Sequence, residues 1–392
     1  MLPEAHLDFE TSSTTDLLTA GVHRYAEDIN TSVWCFSWCI GDGPVNRWKE
    51  GDPDPIPLLH HIAHGGVIKA HNAIFERTIW NQVLRKAGTG RCSWPAISVT
   101  QQDCTMARAA AVSRPQSLDM LCQALNTEDK KDIDGHKLMM KMSSPRRFNA
   151  DSSITWWGDS VDVERLQQYC DQDVKTECAI DKIVPALTPS ERRVWELDQL
   201  INDRGICIDV KAARKCAALV ELAKKSADSE MRRLTGRMVP KCSTDKKIVE
   251  WIQSRGIDCS TVKKDVQDDL IFVAQLRGDD VVEEVIRLRA DSKKTSTAKF
   301  AAMIECVCAD GRVRGTLNYH GAGPGRWAGR LIQPQNFPRV DHEKEGYIFE
   351  WMAELLDSDA TAQDVFDLMR FTARRARTRR CAYCHGSCAP AS

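Results

Sequence analysis

The 392-residue chain has no apolar run approaching the length of a membrane span, and no basic stretch followed by an apolar one at its start. Neither a membrane-spanning nor an exported protein is therefore expected. The expected location is cytoplasmic. Internal repeats are absent as well. Net charge is almost absent: 54 Lys and Arg stand against 55 Asp and Glu, giving −1. Any nucleic-acid partner must then be met by local basic patches and not by the field of the whole chain. Cysteine is not scarce. The 16 cysteines are scattered through apparent helices and strands, as in CFSWC, LCQAL and MIECVC, and read as reduced, mostly buried thiols. A hydrophobic content of 42% with 28% charge is ordinary for a globular chain, and the length suggests two or three domains.

The N-terminal part reads as strands: AHLDFET, GVHRYAED, SVWCFSWCI and PVNRWKEG, punctuated by Gly, Asp, Asn and Pro. A short helix (PIPLLHHIAH) leads to a fifth strand, GGVIKAHN. From Asn72 the period becomes helical, with Phe75, Ile79, Val83 and Leu84 as the apolar stripe, Asn72 as N-cap and Gly88 as stop. Helices are predicted at DCTMARAAAV, SLDMLCQALN, DIDGHKLMMKM and from about Ser160 to Val184, before Pro185. Antiparallel strands, then a βα crossover, then helices predict an α/β fold, a mixed sheet with helices on its faces.

A new start is legible at TPSERRVWELDQLINDRG. Thr188 is placed as N-cap, Pro189 at the first helical position and Glu191 three residues after the cap, and Gly205 closes the helix. The first domain is accordingly expected to span residues 1–187. Beyond it lies a long, highly charged helical region, including VKAARKCAALVELAKKSADSEMRRLTG and DDVVEEVIRLRADSKKTSTAKFAAMIECV, whose charges read as solvated faces.

The acids are the chemically informative residues. Asp8 and Glu10, in LDFET, are two apart and share one face of a strand. Like charges so placed cost stability unless positive charge lies between them, and a metal ion is the usual source. A solvated acidic edge strand gives the same pattern. Glu76 falls in the first turn of the helix after the fifth strand, where an acid also simply favours the helix dipole. In YCDQD, Tyr169 and Asp173 are four apart on one helix face, with Asp173 one turn from Cys170 and two from Leu166 on a semi-buried side.

Taken as an ordered set, D-x-E on a first strand, N-x-x-F-E opening a helix and Y-x-x-x-D on a late helix resemble the DEDDy 3′–5′ exonucleases. The closest likeness is to the proofreading domain of phage-type family A DNA polymerases, over about residues 5–185. That resemblance implies a ribonuclease-H-like fold, phosphodiester hydrolysis at a 3′ end, and two divalent ions, Mg²⁺ or Mn²⁺. It assigns Asp8, Glu10, Glu76 and Asp173 to the metals. The family usually has Asp where this chain has Glu76. Tyr169 would orient the attacking water, or be a core tyrosine with its hydroxyl at the rim. Thr11 and Asn72 would contact the substrate strand, Asn72 having the alternative role of N-cap.

Farther on, GRVRGTLNYHGAGPGRWAGRLIQPQNFPR is similar to the family A segment running from thumb to palm along the primer–template minor groove. It offers Arg326, Arg330, Arg339, Gln333, Gln335 and Asn336 in a Gly/Pro-shaped loop suited to phosphates and groove acceptors. Pro324-Gly325-Arg326 stands where the family usually has T-G-R, and proline fixes φ there and removes an N–H. The implied partner is DNA, as single-stranded 3′ ends and primer–template. Residues 188–340 are thus expected to be thumb-like and mainly α-helical, and 341–392 a palm start with a disordered tail. No D-x-S-x-I-E strand, H-D-E turn or Lys-bearing fingers helix follows Arg339, so the expected activity is 3′–5′ exonuclease without polymerisation. A DNA-binding remnant without chemistry and a DEDDy exonuclease acting on RNA are the alternatives. The C-x-x-C-H-x-x-C of Cys381, Cys384, His385 and Cys388 has zinc-ligand residue types, and its first five positions have the form of a haem-attachment motif. It is expected to form no site.

Overall fold

The computed structural model describes residues 2–86, 90–127, 132–293, 297–337 and 342–369. Gly88, Arg339 and the Cys381–Cys388 cluster lie outside the described residues. The chain divides into two compact units: Met1–Ile208 with Glu305–Asn336, and Asp209–Ile304 with Phe337–Ser392.

The first unit is built on β1 (Ala5–Ser12), β2 (Ser32–Ile40), β3 (Asn46–Lys49), β4 (Ile68–Ala70) and β5 (Gln102–Cys104). Their order is β3-β2-β1-β4-β5. β1, β2 and β3 pair antiparallel, whereas β4 pairs parallel with both β1 and β5. Alternation on β1 separates two chemistries. Ala5, Leu7 and Phe9 join Phe36, Trp48 and Trp80 in an aromatic core, where Phe36 and Trp48 stack at 4.9 Å. The even-numbered residues His6, Asp8 and Glu10 occupy the opposite face. There His6 and Asp8, with Ser37 of β2, meet the long helix α7 (Ser160–Asp181). A register shift after Glu10, from Glu10↔Cys35 to Thr11↔Val33, bulges the strand beside the acids.

GVHRYAED, predicted as a strand, is the second half of helix α1 (Leu17–Glu27). Asp16 caps it by accepting from the Thr19 N–H, and Gly21 marks a kink with φ 76°. The buried residues Ala20, His23 and Ala26 recur every three positions, a helical period hidden by that kink. A Cβ on Gly21 would lie 2.9 Å from Leu331, so the kink also admits that side chain.

α2 (Ile56–Ala63) precedes β4, and α3 (Ile74–Thr78) runs on into a π-helical turn, Ile79–Leu84. The predicted stripe is where expected, with Ile79, Val83 and Leu84 buried. Asn72 is not its N-cap. Ala73 occupies that position, no side chain caps the helix, and Asn72 has a left-handed φ of 85°. β5 has no counterpart among the predicted strands: QDC pairs with β4 before α4 (Thr105–Ala111) begins, and three residues are too few for a period. α5 (Leu118–Leu125), α6 (Ile133–Met142) and the small hairpin β6 (Arg147–Phe148)/β7 (Ile154–Thr155) lead to α7.

The compact unit does not end at residue 187. α8 (Pro189–Arg204) belongs to it, starting as expected with the Thr188 hydroxyl accepting from the Glu191 N–H. The Glu191 carboxylate accepts from the Tyr319 hydroxyl instead of completing a capping box. Arg77 of α3 holds Asp203 of α8 through two guanidinium bonds of 2.7 and 2.8 Å. After α8, β8 (Ile206–Cys207) pairs with β9 (Arg312–Val313), and the hairpin β10 (Leu317–Ala322)/β11 (Arg326–Gly329) follows. A boundary set by helix-start signals alone could not register these long-range pairings.

The second unit is helical: α9 (Val210–Leu234), α10 (Asp245–Ser254), α11 (Gln267–Leu276), α12 (Asp280–Ser292), most of α13 (Ala298–Cys306) and α14 (His342–Asp357). The charged helical stretch from 279 holds two of these helices, α12 and α13. Met231, Ile248, Trp251, Val285 and Ile286 form its core. On α9 only Ala213 and Met231 are buried, so its charges are solvated as expected. No disulfide joins the described cysteines, most of which are buried.

Candidate active site

β1 presents Asp8 and Glu10 toward α7, which carries Tyr169 and Asp173 one turn apart, while Glu76 enters from the first turns of α3. These five residues converge. Ligand atoms of Asp8, Glu10 and Cys170 lie within 4.8 Å of one another. The Tyr169 hydroxyl is hydrogen-bonded to Asp173, and its acidity is suppressed first by burial and then by the charges of Asp173, Glu10 and Asp8. Glu76 is held far above the usual carboxylate range, first by burial and then by the Asp8 charge beside it. One of its oxygens, Oε2, is buried with no hydrogen-bond partner.

Two residues not singled out from the sequence belong to this face. The Cys170 thiol lies 3.3 Å from Asp8 Oδ2 and 3.3 Å from the Asp8 carbonyl oxygen. Glu177, one turn beyond Asp173, is buried and adds its charge to the field at Glu76. Its i,i+4 spacing from Asp173 is a signal that could have found it.

The other expected residues are distributed differently. Thr11 is buried, its hydroxyl 2.8 Å from that of Tyr25. Asn72 lines a cavity of about 480 Å³ with Phe75, Trp195, Gln199, Tyr319 and Arg330, and its Oδ1 is buried without a partner. Arg326, Arg330, Gln333, Gln335 and Asn336 are all exposed, on β11, on the 3₁₀ turn Pro334–Asn336 and on the segment between them. The Trp327 indole N–H donates to Asp198 of α8 at 2.7 Å and anchors the hairpin. The Pro324-Gly325 segment makes a tight turn, closed by Gly325 N–H to Ala322 O at 2.9 Å.

The donor set suits hard divalent cations: carboxylates from three elements converge, and one buried oxygen lacks any partner. Among the described residues no helix is long and apolar enough to cross a membrane.

Over most of its length this chain is similar to a phage DNA polymerase. It is 34% identical over 347 residues to the DNA polymerase of Bacillus phage SP02, a match covering 85% of this chain and 51% of that one. It therefore spans about half the length of the curated relative it matches. Among solved structures it is similar to the POL domain of Pol1 from M. smegmatis in complex with DNA primer-template and dNTP. That likeness has a TM-score of 0.48 and 13% identity, over 87% of this chain and 53% of the other. No family model matches.

Proposed function

We propose that the first unit is a metal-dependent 3′–5′ exonuclease of the DEDDy type, acting on DNA, with a ribonuclease-H-like sheet. The β3-β2-β1-β4-β5 order, antiparallel on one side of β1 and parallel on the other, supports that fold. The observation that carries the activity is the convergence of Asp8, Glu10, Glu76 and Asp173 around Tyr169, with a buried Glu76 oxygen left without a partner.

Asp8, Glu10 and Asp173 would hold two divalent ions, with Glu76 as the fourth acid. Bound there, the ions would supply water activation and charge neutralisation at the scissile phosphate. The chain's residues do the rest. The Tyr169 hydroxyl, fixed by Asp173, orients the attacking water. Asn72 offers an unsatisfied acceptor to the terminal nucleotide. Exposed Arg326 and Arg330, with Gln333, Gln335 and Asn336, offer a basic and polar surface to DNA.

The test uses a 5′-labelled single-stranded oligonucleotide with Mg²⁺ or EDTA, and Asp8→Ala and Asp173→Ala alongside. A ladder shortening from the 3′ end, lost in EDTA and in both variants, is expected. Full trimming by either variant overturns the assignment, and an unshortened but bound oligonucleotide makes the chain a DNA-binding module. An RNA oligonucleotide of the same sequence distinguishes the two substrate classes.

A further inference from the structure

The face of β1 that carries the acids begins two residues earlier, with His6, and a different set of donors meets there. His6 is paired across the sheet with Cys39 of β2, so the two side chains leave the same face. Against them α7 sets Glu177 and Cys178. His6 Nδ1 is hydrogen-bonded to Glu177, and the ligand atoms of His6, Glu177 and Cys178 all lie within 4.8 Å of one another. Cys39 Sγ is 3.5 Å from Cys178 Sγ. Glu177 keeps its second oxygen buried without a hydrogen-bond partner.

The geometry points to a second metal site, formed by His6, Cys39, Glu177 and Cys178, that takes a zinc-type divalent ion. Two thiols, an imidazole and a carboxylate are a four-donor set that favours zinc over magnesium. The 3.5 Å between the sulfurs is too long for a disulfide and near the about 3.8 Å expected for two thiolates on one tetrahedral zinc. The far side of the imidazole is also prepared. His6 Nε2 faces Asp181 Oδ2 at 3.8 Å, and Asp181 is itself gripped by Lys69 and Arg108. A carboxylate behind a ligating histidine fixes its ring and tautomer. His6, Cys39 and Glu177 are buried, while half-buried Cys178 gives the ion a way in. So bound, the ion would tie α7, which carries Asp173, to β1, which carries Asp8.

The test is cobalt substitution of the full chain, reduced and stripped of metal, with Cys381, Cys384 and Cys388 replaced by serine so that those thiols cannot contribute. In excess Mg²⁺, which fills the carboxylate site, one Co²⁺ per chain is expected, with a thiolate-to-cobalt charge-transfer band. Cys39→Ser and Cys178→Ser should each remove it, and Cys170→Ala should keep it. No band, or a band indifferent to Cys39→Ser and Cys178→Ser, overturns the proposal. Should those variants fail to fold, alkylation of the unaltered chain with and without Zn²⁺ decides. Zinc should protect Cys39 and Cys178 in peptide-level mass spectrometry, and equal labelling of both overturns the site.

Discussion

The Tyr169 hydroxyl is hydrogen-bonded to the Asp173 carboxylate, one turn farther along the same helix. The bond fixes the direction of a buried phenol and leaves its oxygen among three carboxylates. Tyr169→Phe keeps the ring and removes only the oxygen. Trimming should slow by about a hundredfold in single-turnover rate, in the range of positioned acid–base groups, while substrate affinity changes little. Loss of one buried hydrogen bond should cost about 1 kcal/mol in urea unfolding. An unchanged rate would show that the tyrosine serves packing alone.

Glu76 makes stability depend on pH and metal together. Its folded-state acidity is suppressed, by burial and then by the Asp8 charge. Above about pH 4.5 an unfolded chain releases this proton while the folded one retains it, so stability falls as pH rises toward the folded value. Divalent ions bind the ionised form, so stabilisation by Mg²⁺ should grow over the same range, reaching about 2.7 kcal/mol at a hundred times Kd. Thermal melts from pH 4.5 to 8, with Mg²⁺ or EDTA, test this against Glu76→Gln. The variant should flatten the decline in EDTA and lose the growth of the Mg²⁺ effect with pH.

Much of this site was legible because strand and helix periods are local. D-x-E shares a face on a strand and not on a helix, Y-x-x-x-D shares one on a helix a turn apart, and both residue pairs stand so. What the sequence hid depends on distant partners. Asn72 has the residue type of a good N-cap, yet its left-handed φ moves the helix start to Ala73. Thr11 stands beside the acids in sequence, but Tyr25, fourteen residues on, takes its hydroxyl. Glu191 has the spacing of a capping box, and Tyr319 claims its carboxylate from 128 residues away. The same long-range pairings carry α8 and the β10–β11 hairpin into the first unit, where a local stop-and-start signal suggested a boundary.

Arg326 offers a test of how the chain would meet DNA. It is exposed on β11, and a guanidinium that meets phosphate neutralises it without reading sequence. Arg326→Ala should weaken single-stranded DNA binding evenly across sequences and reduce the slope of log K against log salt by about 0.7. Anisotropy titrations between low and moderate salt, on two unrelated oligonucleotides, would reveal an unchanged slope if Arg326 takes no part.

His23 should set the acid limit of the first unit. It is buried in α1 with both ring nitrogens lacking hydrogen-bond partners, Asp203 at 3.7 Å, and the cations Arg77 and Arg314 nearby. Burial, with those two guanidinium groups, pushes its pKa down from 6.5 to about 4, the Asp203 charge opposing them. A histidine depressed in the folded state stabilises above its unfolded pKa and loses that contribution as pH falls through the folded one. The window is therefore pH 6.5 to about 4. The difference corresponds to about 3 kcal/mol, as an order of magnitude. His23→Leu has no charge to exclude, so its urea midpoint should decline less steeply over this window than that of the unaltered chain. Parallel declines would assign the acid sensitivity to other groups, and the half-buried Arg77–Asp203 pair beside it is the next to examine.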